Sequence, residues 1–181
     1  LKNSTLVLAR LAILLALTLM VEMIGLPQPV TGPLINMFLF LTVLLLNIKS
    51  AVLLGCVTPL VALWRGQLPP LLAPMIPFII GGNTLLVITF GLSRRQWYRW
   101  FNFKIFLVQI LGETLPVVLS AFLKFLFLYS AARFLIPLIF GKQLPEKLLV
   151  MMALPQFLSA LFGGIFAIIL VKFFMRIQEV R

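Results

Sequence analysis

The chain has 181 residues, 62% hydrophobic and 10% charged, with a formal net charge of +11 and a mean hydropathy of +1.18. Soluble domains run at about 45–50% apolar and about 25% charged, so this composition excludes a water-soluble globule and implies an integral membrane protein. Histidine is absent, Cys56 is the single cysteine, and Glu22, Glu113, Glu146 and Glu179 are the only acids. Histidine-based acid–base catalysis, an internal disulfide and the common zinc sites are excluded with them.

A bilayer-spanning helix needs about 20 apolar residues. The sequence predicts six, at about 6–26, 33–48, 50–64, 76–92, 108–139 and 148–175, in one membrane domain covering 1–181. The expected fold class is an all-α, six-transmembrane-helix bundle. Lys2 and Arg10 ahead of an apolar stretch imitate a signal peptide. The stretch runs to Leu26, however, and no clean A-x-A site follows, so it reads as a retained helix. A chain opening on Leu1 in place of methionine reads as trimmed or as part of a longer one.

In the first helix Ala9, Ala12 and Ala16 form a stripe of small residues. Two readings stand: a docking face for another helix, or packing within the bundle. Glu22 lies ten residues beyond Ala12, about 15 Å further along the axis. An acid there needs a partner or water, which makes it either a pocket wall or an interfacial charge. Asn36 sits near the start of the second helix. The third helix looks short and ends in the connection "WRGQLPPLLAP", 64–74. There Trp64 offers a stacking face, Arg65 and Gln67 offer donors, and the prolines stiffen the loop.

The fourth helix begins "PFIIGGNTLLVITF" and carries Asn83 after Gly81 and Gly82. The glycines let backbone or ligand approach. Asn83 is read as a ligand contact, against the alternative of a helix–helix hydrogen bond. The stretch "SRRQWYRWFNFK", 93–104, mixes basic and aromatic residues. It fits a cytoplasmic loop with interfacial anchors better than a nucleic-acid patch. In the fifth helix Lys124 and Arg133 are nine residues apart and point to opposite sides, so one faces the interior while the other snorkels. Glu113 is expected to pair with Arg99 or Lys104. The sixth helix starts with a polar, small face of Gln156, Ser159, Ala160, Gly163 and Ala167.

Basic residues orient the chain. With the N-terminus inside, Lys2, Arg10, Lys49, Arg94, Arg95, Arg99, Lys104, Lys172, Arg176 and Arg181 are cytoplasmic, and Arg65, Lys142 and Lys147 are outside. Both termini are then cytoplasmic. On that orientation Glu22, Asn36, Asn83, Arg133 and Gln156, from five helices, share the outer half. A water-accessible cavity open to the outside would gather them, with 64–74 as its cover. This implies a site for a small polar molecule and not an ion channel. Basic groups outnumber acids there, which favours an anionic or carboxylate-bearing ligand. Cysteine and histidine arrays for nickel or cobalt are missing.

The six helices, the cytoplasmic termini, Ala12-x-x-x-Ala16, "LPQPVTGPLIN" (26–36), "VLLGCVTPLVAL" (52–63) and "GGN" (81–83) resemble the substrate-binding S components of energy-coupling factor (ECF) transporters, a vitamin-uptake branch of ABC transporters. The resemblance implies a subunit of a bacterial or archaeal cell membrane that captures a vitamin-like molecule outside. It implies a pocket walled by helices 1, 4, 5 and 6 and closed by 64–74. Ala12 and Ala16 would dock on a transmembrane T subunit, and two ATPase subunits would supply energy while the S component topples to release its cargo. The chain has no GxxxxGK[ST] loop, so ATP hydrolysis falls to the partners and no cofactor is expected in this chain. The vitamin itself is not specified. A second class is a non-transporting scaffold of the bacterial cell-wall elongation machinery. A third, an intramembrane enzyme, is disfavoured by the absent histidines and sparse acids.

Overall fold

The computed structural model describes residues 2–100, 106–141 and 143–180. Every regular element among them is helical. The long helices are α1 (Lys2–Ile24), α2 (Gln28–Leu45), α3 (Ile48–Trp64), α4 (Ile76–Trp100), α5 (Phe106–Ser130) and α8 (Leu154–Val180). A 3-10 segment, Pro70–Met75, precedes α4, and a π-helical turn, Ala131–Leu135, follows α5. Two short helices, α6 (Ile136–Phe140) and α7 (Glu146–Met151), lead into α8. The end of the basic–aromatic stretch, 101–104, with Lys104, lies outside the described residues, as do Lys142 and Arg181.

Among the described residues five segments are long and apolar enough to cross a membrane: Ser4–Ile24, Gln28–Leu45, Pro70–Trp97, Gly112–Phe140 and Glu146–Phe174. The sixth expected span, α3, is apolar but has only 17 residues. At 1.5 Å per residue it is about 26 Å long, short of a hydrocarbon core of about 30 Å. Asn47 starts it by accepting the Ser50 amide N–H on its side-chain oxygen at 2.9 Å, the usual asparagine N-cap.

Helix α2 is the centre of the bundle and touches α1, α3, α4 and α8. Its residues Phe38 to Thr42 are buried without interruption, as expected of a helix surrounded on all sides. Its most extensive contact is with α8. Gly163 makes that approach possible. A Cβ at this position would lie 2.6 Å from the Pro33 carbonyl oxygen and 2.7 Å from the Met37 nitrogen. Further along, Phe40 meets Phe90 of α4 edge-on, with centroids 4.7 Å apart, a geometry that adds about 0.5–1.5 kcal/mol to the packing.

Of the two approaches expected at Gly81 and Gly82, backbone or ligand, the structure shows a neighbouring helix coming close. A Cβ at either would lie about 3.1 Å from Phe127 or Leu128 of α5, tighter than ordinary packing, so the glycines let α4 and α5 come together. Glu113 also finds other partners. Its carboxylate is buried and pairs with Lys172 at 2.9 Å and Arg94 at 3.4 Å, tying α4, α5 and α8 at the end of the bundle remote from Glu22.

Helix α1 is the least buried. Its bundle-facing stripe is Leu14, Thr18 and Glu22, four residues apart, while Ala9, Ala12 and Ala16 are exposed. The alanine stripe is therefore not packing within this chain. The perimeter as a whole is apolar, with Leu8, Phe134, Leu138, Phe166 and Phe173 among its exposed side chains.

Candidate functional site

Lys124 decides how the interior is arranged. It projects from α5 into the bundle and is 3% exposed. Its ammonium donates to Asn36 Oδ1 at 2.7 Å and Asn83 Oδ1 at 2.8 Å. A lysine only donates, so both amides must turn their oxygens toward it and their NH2 groups away. Each NH2 then needs an acceptor. Asn36 Nδ2 donates to the Gly32 carbonyl at 2.9 Å and to Ser159 Oγ at 3.2 Å. Asn83 Nδ2 donates to the Gly55 carbonyl at 3.1 Å.

The Gly55 carbonyl is open because of Pro59. In an α-helix it would accept from the N–H four residues on, and proline has none. Pro59 lies inside α3, so Asn83 supplies the missing donor from α4. Gly55 also keeps the two helices close, since a Cβ there would come within 3.0 Å of Asn83 Cβ. At the break before α8 the Met151 carbonyl, at the C-terminus of α7, accepts from Gln156 Nε2 at 3.4 Å.

Around this centre lies a cavity of about 90 Å³, room for several waters. Glu22 of α1, Asn36 of α2, Thr58 of α3, Asn83 of α4, Lys124 of α5 and Gln156 of α8 all line it. Gln67 and Leu68 of the 64–74 connection close one side, and Met151 and Met152 another. Gln67 is held in place by donating to the Glu22 carbonyl at 2.7 Å. The rest of its connection is anchored below, where Leu72 and Met75 are fully buried with Leu128 and Met152.

Two polar atoms in this wall have no protein partner among the described residues. They are Glu22 Oε2 and Thr58 Oγ1, each on a residue 2% exposed. Native interiors leave few such groups, and each costs about 1–3 kcal/mol or more when charged. The third N–H of Lys124 is likewise without a partner among the described residues. The cavity thus presents acceptors, a hydroxyl and an ammonium donor to whatever fills it.

The structure brings together Glu22, Asn36, Gln67, Asn83 and Gln156 from the sequence-derived set. It leaves three members outside the cavity lining. Trp64 is 79% exposed at the end of α3. Arg65 points away and donates to the Met23 carbonyl at 3.3 Å. Arg133 lies in the π-helical turn and is exposed. Of the two basic residues expected on one helix, Lys124 of α5 faces the interior and Arg133, in the turn beyond it, the exterior. Expecting Arg133 inside followed from depth along the helix alone; nine residues of helical rotation put it on the other side. Thr58, Gln28 and Thr31, also in the wall, were not anticipated. A threonine in an apolar helix is unremarkable by composition, and only its unpaired hydroxyl distinguishes it. The walls also differ from those implied by the family resemblance, since α2 and α3 contribute as much as α1, α4, α5 and α8.

The structure and composition define a class: an all-helical protein with several helices long and apolar enough for a multi-pass membrane protein. Compared with family models, curated proteins and solved structures, the chain matches none. No group of three or more metal-ligating side chains occurs among the described residues.

Proposed function

We propose that this chain is a membrane-embedded binding subunit that captures a small polar molecule in the Lys124 cavity, in the manner of an ECF S component, and passes it inward with an ATP-driven partner. One observation carries the reading: Glu22 Oε2 and Thr58 Oγ1 are buried, have no partner among the described residues, and line one cavity with the ammonium of Lys124. Packing alone gives no reason to hold such groups in an apolar bundle. The exposed Ala9, Ala12 and Ala16 are in keeping with a partner helix docking on α1. The excess of basic residues on one side favours an orientation with both termini in the cytoplasm and the cavity toward the outside.

A second reading, the non-transporting scaffold, draws on the satisfied state of Asn36 and Asn83, which bind Lys124 and backbone and need no ligand. The test separates the two. The protein is purified without partners, extracted, and the extract analysed by mass spectrometry for a small molecule present in stoichiometric amount. A bound metabolite, lost from Thr58→Val, is the expected result. An empty protein, with no vitamin or precursor raising its melting temperature, would favour the scaffold.

A further inference from the structure

Next to the polar cavity runs a second hollow, a groove of about 400 Å³ between the starts of α2 and α8. Pro29 and Pro33 contribute from α2, Leu158 and Phe162 from α8. Leu158 and Phe162 are partly exposed on the apolar perimeter, so the groove opens sideways. Gln28, Met151, Gln156 and Ser159 line both hollows, so the two adjoin across these side chains.

We propose that the two hollows hold one ligand: an amphiphile whose compact, net-neutral head, bearing both a donor and an acceptor, sits among Glu22, Thr58 and Lys124, and whose unbranched apolar tail runs out between Pro33 and Phe162. The inference rests on reading the cavity as a polar-ligand site and adds the class of ligand. Three observations converge on it. The cavity by itself is far below the roughly 300–1,000 Å³ of ordinary ligand sites, so a ligand of ordinary size with its polar end there extends into the adjoining groove. The walls change character along the joined path, from carboxylate, hydroxyl and ammonium at one end to proline, leucine and phenylalanine at the other. One acid and one cation face the cavity, so a head that carries no net charge and both kinds of hydrogen-bonding group matches both.

A bilayer hydrocarbon chain alone is a poorer occupant. It would end against the Gln156 amide, whose one hydrogen bond among the described residues is 3.4 Å long, and would leave Glu22 Oε2 and Thr58 Oγ1 unpaired. A tail attached to a head avoids both costs.

The experiment uses the full chain in detergent and the straight-chain primary amides from propanamide to octanamide, whose carboxamide is a net-neutral donor and acceptor. Dissociation constants are measured by titration calorimetry against a protein-free micelle blank. Each added methylene should tighten binding, by up to roughly fourfold, the factor for burying one methylene fully. Leu158→Trp, which fills the groove, should abolish that dependence on length, and Phe162→Trp one turn on should do the same. Thr58→Val should weaken every member by a similar factor while the dependence persists. Short amides that bind with no gain from added methylenes would overturn the amphiphile and leave the polar site standing. Failure of every amide to bind would count against both. Equal binding by n-alkanes of the same length, unaffected by Thr58→Val, would assign the groove to bilayer chains and overturn the proposal.

Discussion

A lysine inside an apolar bundle forces its neighbours' chemistry. Lys124 requires two carbonyl-type acceptors, which fixes how Asn36 and Asn83 are turned and which backbone carbonyls their NH2 groups must find. Removing one member strands the others. Asn83→Leu leaves the ammonium one acceptor short and the Gly55 carbonyl without its donor, and should destabilise the fold by about 3 kcal/mol. Lys124→Met should also destabilise, since two amide oxygens lose their donor. The double variant should cost less than the two single costs combined, because the apolar pair leaves fewer groups unpaired. Chemical denaturation of all four proteins in a double-mutant cycle measures the coupling. Thr58 and Glu22 belong to the opposite category. Their unpaired atoms stabilise nothing in the empty protein, so Thr58→Val and Glu22→Gln should hold or raise its melting temperature and reduce ligand binding. A clear loss of stability in Thr58→Val would show that its hydroxyl has a structural partner.

At the scale of elements, prolines and glycines set where helices can exchange hydrogen bonds and how near they come. Pro59 opens a carbonyl on α3 that α4 fills, and Gly163 lets α2 and α8 touch at backbone distance. Gly163→Leu would drive a side chain into the Pro33 carbonyl and separate the two helices. The expected loss is about 2–3 kcal/mol or more, read as a fall in thermal stability. Ligand binding should fall with it, because Asn36 and Ser159 face each other across the same contact. The helices themselves were legible in the sequence, since runs of apolar residues bounded by Gly-Pro and Pro-rich segments are local signals. The short α3 was legible too. The π-helical turn at Ala131–Leu135 and the breaks around α6 and α7 were not, because an unbroken apolar run does not reveal where its hydrogen-bond ladder changes step.

For the whole molecule the question is which surfaces face protein, lipid and ligand. Ala12 and Ala16 are exposed on α1, opposite its buried stripe of Leu14, Thr18 and Glu22. Ala12→Leu therefore adds bulk where this chain has nothing to clash with. Thermal stability and ligand affinity should stay unchanged, while on the proposed transporter reading uptake in cells carrying the proposed partner subunits falls by about tenfold, equivalent to about 1.4 kcal/mol in a docking equilibrium. Unchanged uptake would remove α1 as the docking helix.

Composition and apolar run length determined that this chain is helical and suited to a membrane, because those properties depend on how many residues of each kind follow one another. They also marked Glu22, Asn36, Asn83 and Gln156 as polar groups in need of partners. Which of Lys124 and Arg133 faces inward, which of these groups pair with each other, and that Thr58 Oγ1 and Glu22 Oε2 have no partner among the described residues were decided only by the tertiary structure. Those outcomes depend on the rotation of each helix about its axis and on which neighbour it meets, and residues 36, 83 and 124 meet through space across separations that no local pattern encodes.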